Sequence, residues 1–415
     1  MLIKFIHTAD LHLGKTYRTS EAESERYEDF FSMFGSIVAT AISEQVDFML
    51  IAGDLFHTGQ ILPRTFARTI ETLQPLKNAG IACIAVEGNH DWIHRRDSIS
   101  WMEALSQMGY IQLLRPTRTE TGGYQFDSFD AATGFGGHIE ISGVHIYGLG
   151  YIGTQPGNHV ARICDAVSTK NNILLFHVGI WSYSPVEIGN MKPEEAMPLS
   201  ETFDYVALGH GHKPYIVDAA NGLPYAYNPG SPECVSFGEE KFGKGYYFVT
   251  IEGDSYRHEF CPTFPRPMLA INISLDGAGN PDDALAYLSE EISSKLKVSN
   301  DERKLLLEVK LTGKVRFHPF ELGRERLRLA IDTLCAPLHT EIKNHLSLIT
   351  RESGKETEHK NLAEIEKDVL LELVSSKSEF KGHEDELIRI SLAIRDQVMK
   401  GDSEGEELLG ILSDR

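Results

Sequence analysis

The sequence predicts a layered α/β fold with a buried sheet, and three observations carry that prediction. From residue 1 to about residue 260, short apolar runs rich in Ile, Val, Leu and Phe alternate with longer amphipathic stretches, the pattern of strands covered by helices. Five of those runs lead directly into Asp, Asn or His. Near residue 262 the texture changes: "CPTFPRPM" places three prolines within Cys261–Met268, which marks a linker or an edge strand, and a smaller unit comes after it.

The elements run in order along the chain. Apolar runs at Leu2–Ile6, Phe48–Ala52, Ile81–Val86, Ile173–Phe176 and Tyr205–Leu208 read as strands. Amphipathic stretches at Glu25–Gln45, Pro63–Asn78 and Ser98–Met108 read as helices, with Pro63 suited to a first turn and Gly80 to a stop. Beyond the prolines, "MLAINISL" and "KLLLEVKL" read as strands around a helix at Pro281–Leu296. From Glu321 onward the chain reads as helical. Leu362, Ile365, Val369, Leu370 and Leu373 keep helical spacing, as do Leu387, Ser391, Ile394 and Val398 with one polar lapse. These divisions predict three regions: 1–262, 263–325 and 326–415, the last a linker and a C-terminal helix pair.

With 415 residues, 41% apolar and 24% charged, the chain has the size and composition of a soluble protein of two or three domains. Five cysteines without CxxC spacing argue against a disulfide framework or a zinc knuckle and for a reducing cytoplasm. "MLIKFIHTAD" shows no charged leader ahead of an apolar stretch, and no run has the length of a membrane span, so neither a signal peptide nor a membrane is expected. The net charge of −20 argues against a protein that holds nucleic acid through its general surface field. It does not exclude a nuclease whose metal centre or partner supplies positive charge locally.

The strand ends carry the chemistry. Asp10 and His12 follow the first strand, Asp54 and His57 the second, and Asn89, His90 and Asp91 the third. His177 follows the fourth, and His210 and His212 the fifth. In open α/β sheets, sites form beyond the carboxyl ends of strands. Any one of these residues alone fits a cap, a turn or a satisfied core histidine; five strand ends together call for one explanation. Asp10, His12, Asp54, Asn89, His177, His210 and His212 mix carboxylate, amide and imidazole without a thiolate, a set suited to Mn²⁺, Fe²⁺ or Zn²⁺. Seven ligands are too many for one such ion with an open position. They suit two, with Asp54 from a central strand as the shared carboxylate.

"DLH", "GDLF", "GNHD", the His of "FHVG" and "GHGH" resemble, in order and content, the five motifs of calcineurin-like metallophosphoesterases. "HTADLHLGK", "GDLFHTG", "NPGSPECVSFGEEKFGKGYY" and "PRPM" are similar to the SbcD-type and meiotic-recombination-eleven-type DNA repair nucleases. The resemblance covers about residues 1–330. It implies an α-β-β-α metallophosphoesterase sandwich at 1–262, a small α/β capping domain that orients DNA, and C-terminal helices near 361–400 that bind an SbcC-type coiled-coil ATPase. It also implies a homodimer built through Pro63–Asn78 and Ser98–Met108. By that resemblance, Asp10, His12 and His212 hold one metal, Asn89, His177 and His210 the other, and Asp54 bridges them, with Mn²⁺ the expected ion. His90 matches the catalytic histidine that protonates the leaving oxygen. Asp91 would orient its imidazole, and His57 assists exonuclease positioning. The implied activity is Mn²⁺-dependent 3′-to-5′ exonuclease and endonuclease cleavage of DNA in double-strand-break repair, in the cytoplasm at the nucleoid. The rivals are a small-molecule phosphatase on the same scaffold and a non-catalytic scaffold for the ATPase.

Overall fold

The computed structural model describes residues 2–17, 20–92, 97–253, 255–296, 301–349, 367, 369–371, 374 and 383–400. Residues 1–349 form one compact unit and 350–415 a second.

The first unit is built on two six-stranded sheets. In spatial order, one runs Ser255–Pro262, Gly245–Glu252, Leu2–Thr8, Phe48–Ala52, Ala82–Val86, Gln112–Leu113. The other runs Tyr215–Asp218, Pro224–Asn228, Tyr205–Leu208, Asn172–Phe176, Val144–Leu149, His138–Ile141. Their central strands are parallel and buried on both faces, which explains the near-continuous apolar runs. Alternation along each strand assigns the layers. Phe48, Leu50 and Ala52 join Ile173, Leu175, Tyr205 and Ala207 in a core between the sheets. Met49 and Ile51 face outward onto Phe30, Phe34, Leu73 and Leu105 of the covering helices. On the far side, Leu174, Phe176, Val206 and Leu208 pack with Val160, Ile163 and Leu199. The result is the α-β-β-α sandwich expected.

Three helices cover the first sheet: Ser20–Ser43, Pro63–Ala79 and Trp101–Gln107. The second starts at Pro63 and stops at Gly80, whose backbone is left-handed (φ 69°). The third is capped by a reciprocal Ser100–Glu103 box, so it begins three residues later than its amphipathic pattern predicts.

His7 ties the sheets together. Its Nδ1 accepts from the Tyr205 hydroxyl and its Nε2–H donates to the Leu208 carbonyl, each at 3.0 Å. Burial pushes its pKa down to about 3, against the Leu208 hydrogen bond that favours the cation. The folded state therefore holds His7 neutral while the unfolded chain takes up a proton below about pH 6.5. Stability contributed here is full above that pH and is lost as pH falls toward 3. The parent will lose about 1.4 kcal/mol per pH unit more than a His7→Asn variant across this window, read as the difference between denaturant titrations at pH 6 and pH 4.5.

The prolines of "PRPM" lead into a three-stranded parallel sheet of Met268–Ser274, Leu306–Val315 and His339–Leu348. Helices Pro281–Lys295 and Arg324–Cys335 pack on it through Leu288, Ile292, Leu327 and Ile331. Two expectations are corrected here. The chain is not helical throughout from Glu321, and the small sheet does not close by 325. The helix at Arg324–Cys335 ends at Ala336 in a left-handed turn (φ 40°), and His339–Leu348 returns as a third strand. That strand is half-buried, so it lacks the apolar run that marks the others. Its only signal is the alternation of Ile342, Leu346 and Leu348.

Arg266 of "PRPM" anchors the small sheet to the sandwich. Its guanidinium grips Asp29 at 2.6 and 3.0 Å, Glu25 at 3.1 Å and the Lys304 carbonyl at 2.9 Å. Its backbone N–H donates to Glu233 at 3.2 Å. Glu233 in turn holds the fully buried Arg26 at 2.9 Å. The "GSPECVSFGE" and "PRPM" stretches are thus two halves of one buried ion network.

In the second unit, Glu384–Lys400 is a helix. Leu362, Ile365 and Leu373 of the other predicted helix lie outside the described residues. No helix among the described residues is long and apolar enough to cross a membrane.

Candidate metal centre

Parallel strands deliver their carboxyl ends to one edge, and the loops leaving them are bent sharply inward. Asp10, His12, Asp54 and His210 have left-handed backbones, with φ of 52°, 45°, 52° and 78°. Each costs about 1–3 kcal/mol for a residue with a side chain. Hydrogen bonds between loops hold them there. Asp10 N–H donates to Gly53 O at 3.1 Å, His12 N–H to Asp54 O at 3.0 Å, and Leu13 N–H to Leu55 O at 2.8 Å. The carboxylates brace their neighbours: Asp10 Oδ1 accepts from His210 N–H at 3.1 Å and Asp54 Oδ1 from His90 N–H at 2.9 Å. Glycine is required at two contacts. A Cβ on Gly53 would lie 2.2 Å from His177 Nδ1, and one on Gly88 would lie 2.0 Å from Asp54 Oδ1.

All seven proposed ligands converge. His12 Nε2 lies 3.0 Å from His212 Nε2. Asn89 Oδ1 lies 3.2 Å from His177 Nε2 and 3.0 Å from His210 Nδ1. Asp54 Oδ2 sits between the groups, 3.8 Å from His12 Nε2 and 3.6 Å from His177 Nε2. Ligand atoms of Asp10, His12 and His212 lie within 4.8 Å of one another, as do those of Asp10, Asp54 and His177.

The electrostatics make this a cation site. Burial pushes the carboxyls of Asp10 and Asp54 up to about 7, opposed at Asp10 by His212 and increased there by Asp54. Burial and neighbouring imidazoles push His12 and His177 well down, leaving neutral rings with lone pairs to give. Asp10 Oδ2 is buried without a hydrogen-bond partner, a costly state unless a cation answers it. Buried carboxylate, amide and neutral imidazole, with no thiolate, fit hard-to-borderline divalent ions.

The outer nitrogens of His177, His210 and His212 are fixed, which settles their inner ones. His177 Nδ1–H donates to Ala52 O at 2.7 Å and His210 Nε2–H to Ile188 O at 2.6 Å. His212 Nδ1–H donates to Glu239 Oε1 at 2.9 Å. Glu239 is held by Lys244 at 2.6 Å and by the Val235 and Ser236 N–H groups at 3.0 Å. Burial raises its pKa, but His212 and Lys244 outweigh that and hold it well below the usual carboxylate range. Sequence reasoning missed Glu239 and Lys244. They lie within the "GSPECVSFGEEKFGKGYY" stretch, where nothing local ties them to a histidine 27 residues earlier. Glu239→Gln will weaken divalent-cation binding about 10–100-fold, read by calorimetric titration, with the circular dichroism spectrum unchanged.

His90, His57 and Asp91 lie beside the ligands. The His90 ring stands 4.9 Å from His12 and stacks on His57 at 5.5 Å and 16°. Burial and Lys15 push His57 down to about 3, so it is neutral, with Nε2 3.3 Å from Lys15 Nζ. The expected role of Asp91 is corrected. His90 Nδ1–H donates to the His57 carbonyl at 2.7 Å. The Asp91 carboxylate accepts instead from the N–H groups of Phe56, Gly88 and Leu55, at 2.8, 2.9 and 3.2 Å. It ties the second strand-end loop to the third, and does not orient the imidazole.

A two-sheet sandwich with such a centre at its strand ends is the framework of a metal-dependent phosphoesterase. The calcineurin-like phosphoesterase family pattern matches residues 3–214, half of the chain, and the chain belongs to that family. Among curated proteins it is similar to the DNA double-strand break repair protein Mre11 of Saccharolobus solfataricus, 27% identical over 61% of each chain. The protein of the same name from Sulfolobus acidocaldarius is 26% identical over 75% of this chain and 76% of its own. That from Archaeoglobus fulgidus is 31% identical over 56% of this chain and 50% of its own. The chain thus spans about three-fifths of the first of these relatives.

Proposed function

We propose that this protein is a DNA nuclease acting in double-strand-break repair through two divalent cations, Mn²⁺ by preference, with 3′-to-5′ exonuclease and endonuclease activity. The observation that carries the reading is Asp54 Oδ2 standing 3.8 Å from His12 Nε2 and 3.6 Å from His177 Nε2, one carboxylate between two ligand groups. Asp10, His12 and His212 would hold one ion, Asn89, His177 and His210 the other, with Asp54 shared. When bound, the two cations acidify an attacking water and neutralise charge on the phosphate. His90, its Nδ1–H engaged by the His57 carbonyl, offers Nε2 to the leaving oxygen as general acid. Neutral His57 stacks on His90 and sets its plane. Asp91 holds the loop that carries Asn89 and His90.

The relatives' role in DNA break repair supports DNA as the substrate. Residues 1–262 serve as the hydrolytic domain, and the small α/β unit beginning at 263 orients DNA over the centre. The C-terminal region, whose described helix is Glu384–Lys400, binds an SbcC-type ATPase. Homodimerisation uses Pro63–Ala79 and Trp101–Gln107. A net charge of −20 disfavours DNA binding by the chain alone and supports a basic partner in the cytoplasm. The test is a Mn²⁺-dependent panel of end-labelled duplex, hairpin and single-stranded DNA beside nitrophenyl phosphate and bis-nitrophenyl phosphate, with and without the ATPase. Cleavage of DNA and the diester is expected. Turnover of the monoester alone would make the protein a small-molecule phosphatase, and purified protein that recruits the ATPase but retains no divalent metal and cleaves neither substrate would be a scaffold.

A further inference from the structure

We propose that the cavity beside the metal centre is a nucleobase subsite, in which Trp92 and Tyr151 stack a base of the bound strand and Arg118 takes its phosphate. The identity of the strand rests on the nuclease reading above. The cavity has a volume of about 440 Å³, within the range of small-molecule sites. Trp92, Tyr151, Arg118, Tyr124, Glu87 and Arg115 line it.

An unbroken series of rings leads into it from the proposed ligands. His177 and His210 have centroids 5.1 Å apart, His210 and Tyr151 5.4 Å, and Tyr151 and Trp92 5.5 Å at 62°. Trp92 is 51% exposed, although it follows Asp91, whose carboxylate is pinned by three backbone N–H groups. Its chain neighbour is therefore pinned, while its own indole lines the cavity. Tyr151 is fixed as well, its N–H donating to the Glu87 carbonyl at 2.9 Å. A large apolar ring held in water beside a reactive centre points to a ligand with an aromatic face.

The charges complete the recognition. Arg115 is engaged by Glu87 and Glu103, at 2.6 Å each. Arg118 is exposed, lies 5.4 Å over the Tyr124 ring and has no ion pair among the described residues. One guanidinium at the cavity is thus available to a phosphate. Aromatic faces with a nearby arginine are how single strands are held without sequence preference. Stacking also operates where net charge repels the backbone, as it does in this acidic chain. A base seated here has left its duplex stack, so the subsite favours frayed or single-stranded ends.

The test uses 2-aminopurine deoxyriboside 5′-monophosphate, whose fluorescence falls when its base stacks, with the metal-free full chain. The parent will quench it. Trp92→Ala will raise its Kd about tenfold and Trp92→Phe will restore most of the affinity. Arg118→Gln will weaken the nucleotide but not the corresponding nucleoside. Labelled-DNA cleavage by the parent with Mn²⁺ runs in parallel. If the parent cleaves DNA but quenching is absent, or equal in Trp92→Ala, the subsite is refuted and the nuclease reading stands. If quenching depends on Trp92 but no DNA is cleaved, the nuclease reading fails and the cavity remains a nucleotide site.

Discussion

On the nuclease reading proposed above, His90→Ala will bind the same complement of divalent cation as the parent and will cleave DNA about 10²–10⁴-fold more slowly. The two halves of this expectation come from different contacts. None of the ligand atoms uses His90 as its anchor: His177, His210 and His212 are fixed by Ala52, Ile188 and Glu239. Only the His90 backbone N–H braces Asp54, and alanine keeps it. The side chain, by contrast, is half-buried and positioned by the His57 carbonyl and ring, so its loss removes one proton donor. The leaving group sharpens the test. Nitrophenolate departs without a proton, whereas the sugar oxygen of DNA does not, so the loss on bis-nitrophenyl phosphate will be much the smaller. Steady-state kinetics on both substrates, with metal content measured on the same samples, decide it. Equal losses on the two would remove His90 from the general-acid role.

Asp54→Asn will lose the cation pair and with it at least about 10³-fold in turnover, while the metal-free protein becomes no less stable. The amide oxygen still accepts from His90 N–H, so the loop is kept. What disappears is a carboxylate that burial holds up to about 7. In the metal-free fold the charged form of such a group costs stability. That cost is absent below its ordinary carboxylate pKa, grows as pH rises toward 7, and is complete above it. At pH 8 the metal-free variant will therefore melt at or above the parent. Mn²⁺ will raise the melting temperature of the parent and not of the variant. A variant that still took up two ions per chain would show that Asp54 is not shared between them.

Much of this centre is legible along the chain because strand termination is a local event. An apolar run buried on both faces must stop where the sheet stops, and the residues just after it lie at the sheet edge. Reading Asp10, Asp54, Asn89, His177 and His210 at five such stops needs no knowledge of which strands are neighbours. Asp91 shows the limit of that reading. Its place beside His90 in the sequence predicts a contact with the imidazole, yet a carboxylate so close to three loop N–H groups is satisfied by them first. The strand His339–Leu348 shows another limit, since a half-buried edge strand needs few apolar residues and leaves little periodic signal.

The order of strands, helices and donor residues was determined by the sequence itself, through periodicity, proline placement and residue chemistry. Only the folded chain decided which nitrogen of His177, His210 and His212 turns inward, because the choice is made by the Ala52 and Ile188 carbonyls and by Glu239 on other segments. Only the fold, too, forced Asp10, His12, Asp54 and His210 into left-handed backbone. Such strain survives because hydrogen bonds between distant loops over-determine it, and those bonds exist only after the two sheets have packed face to face.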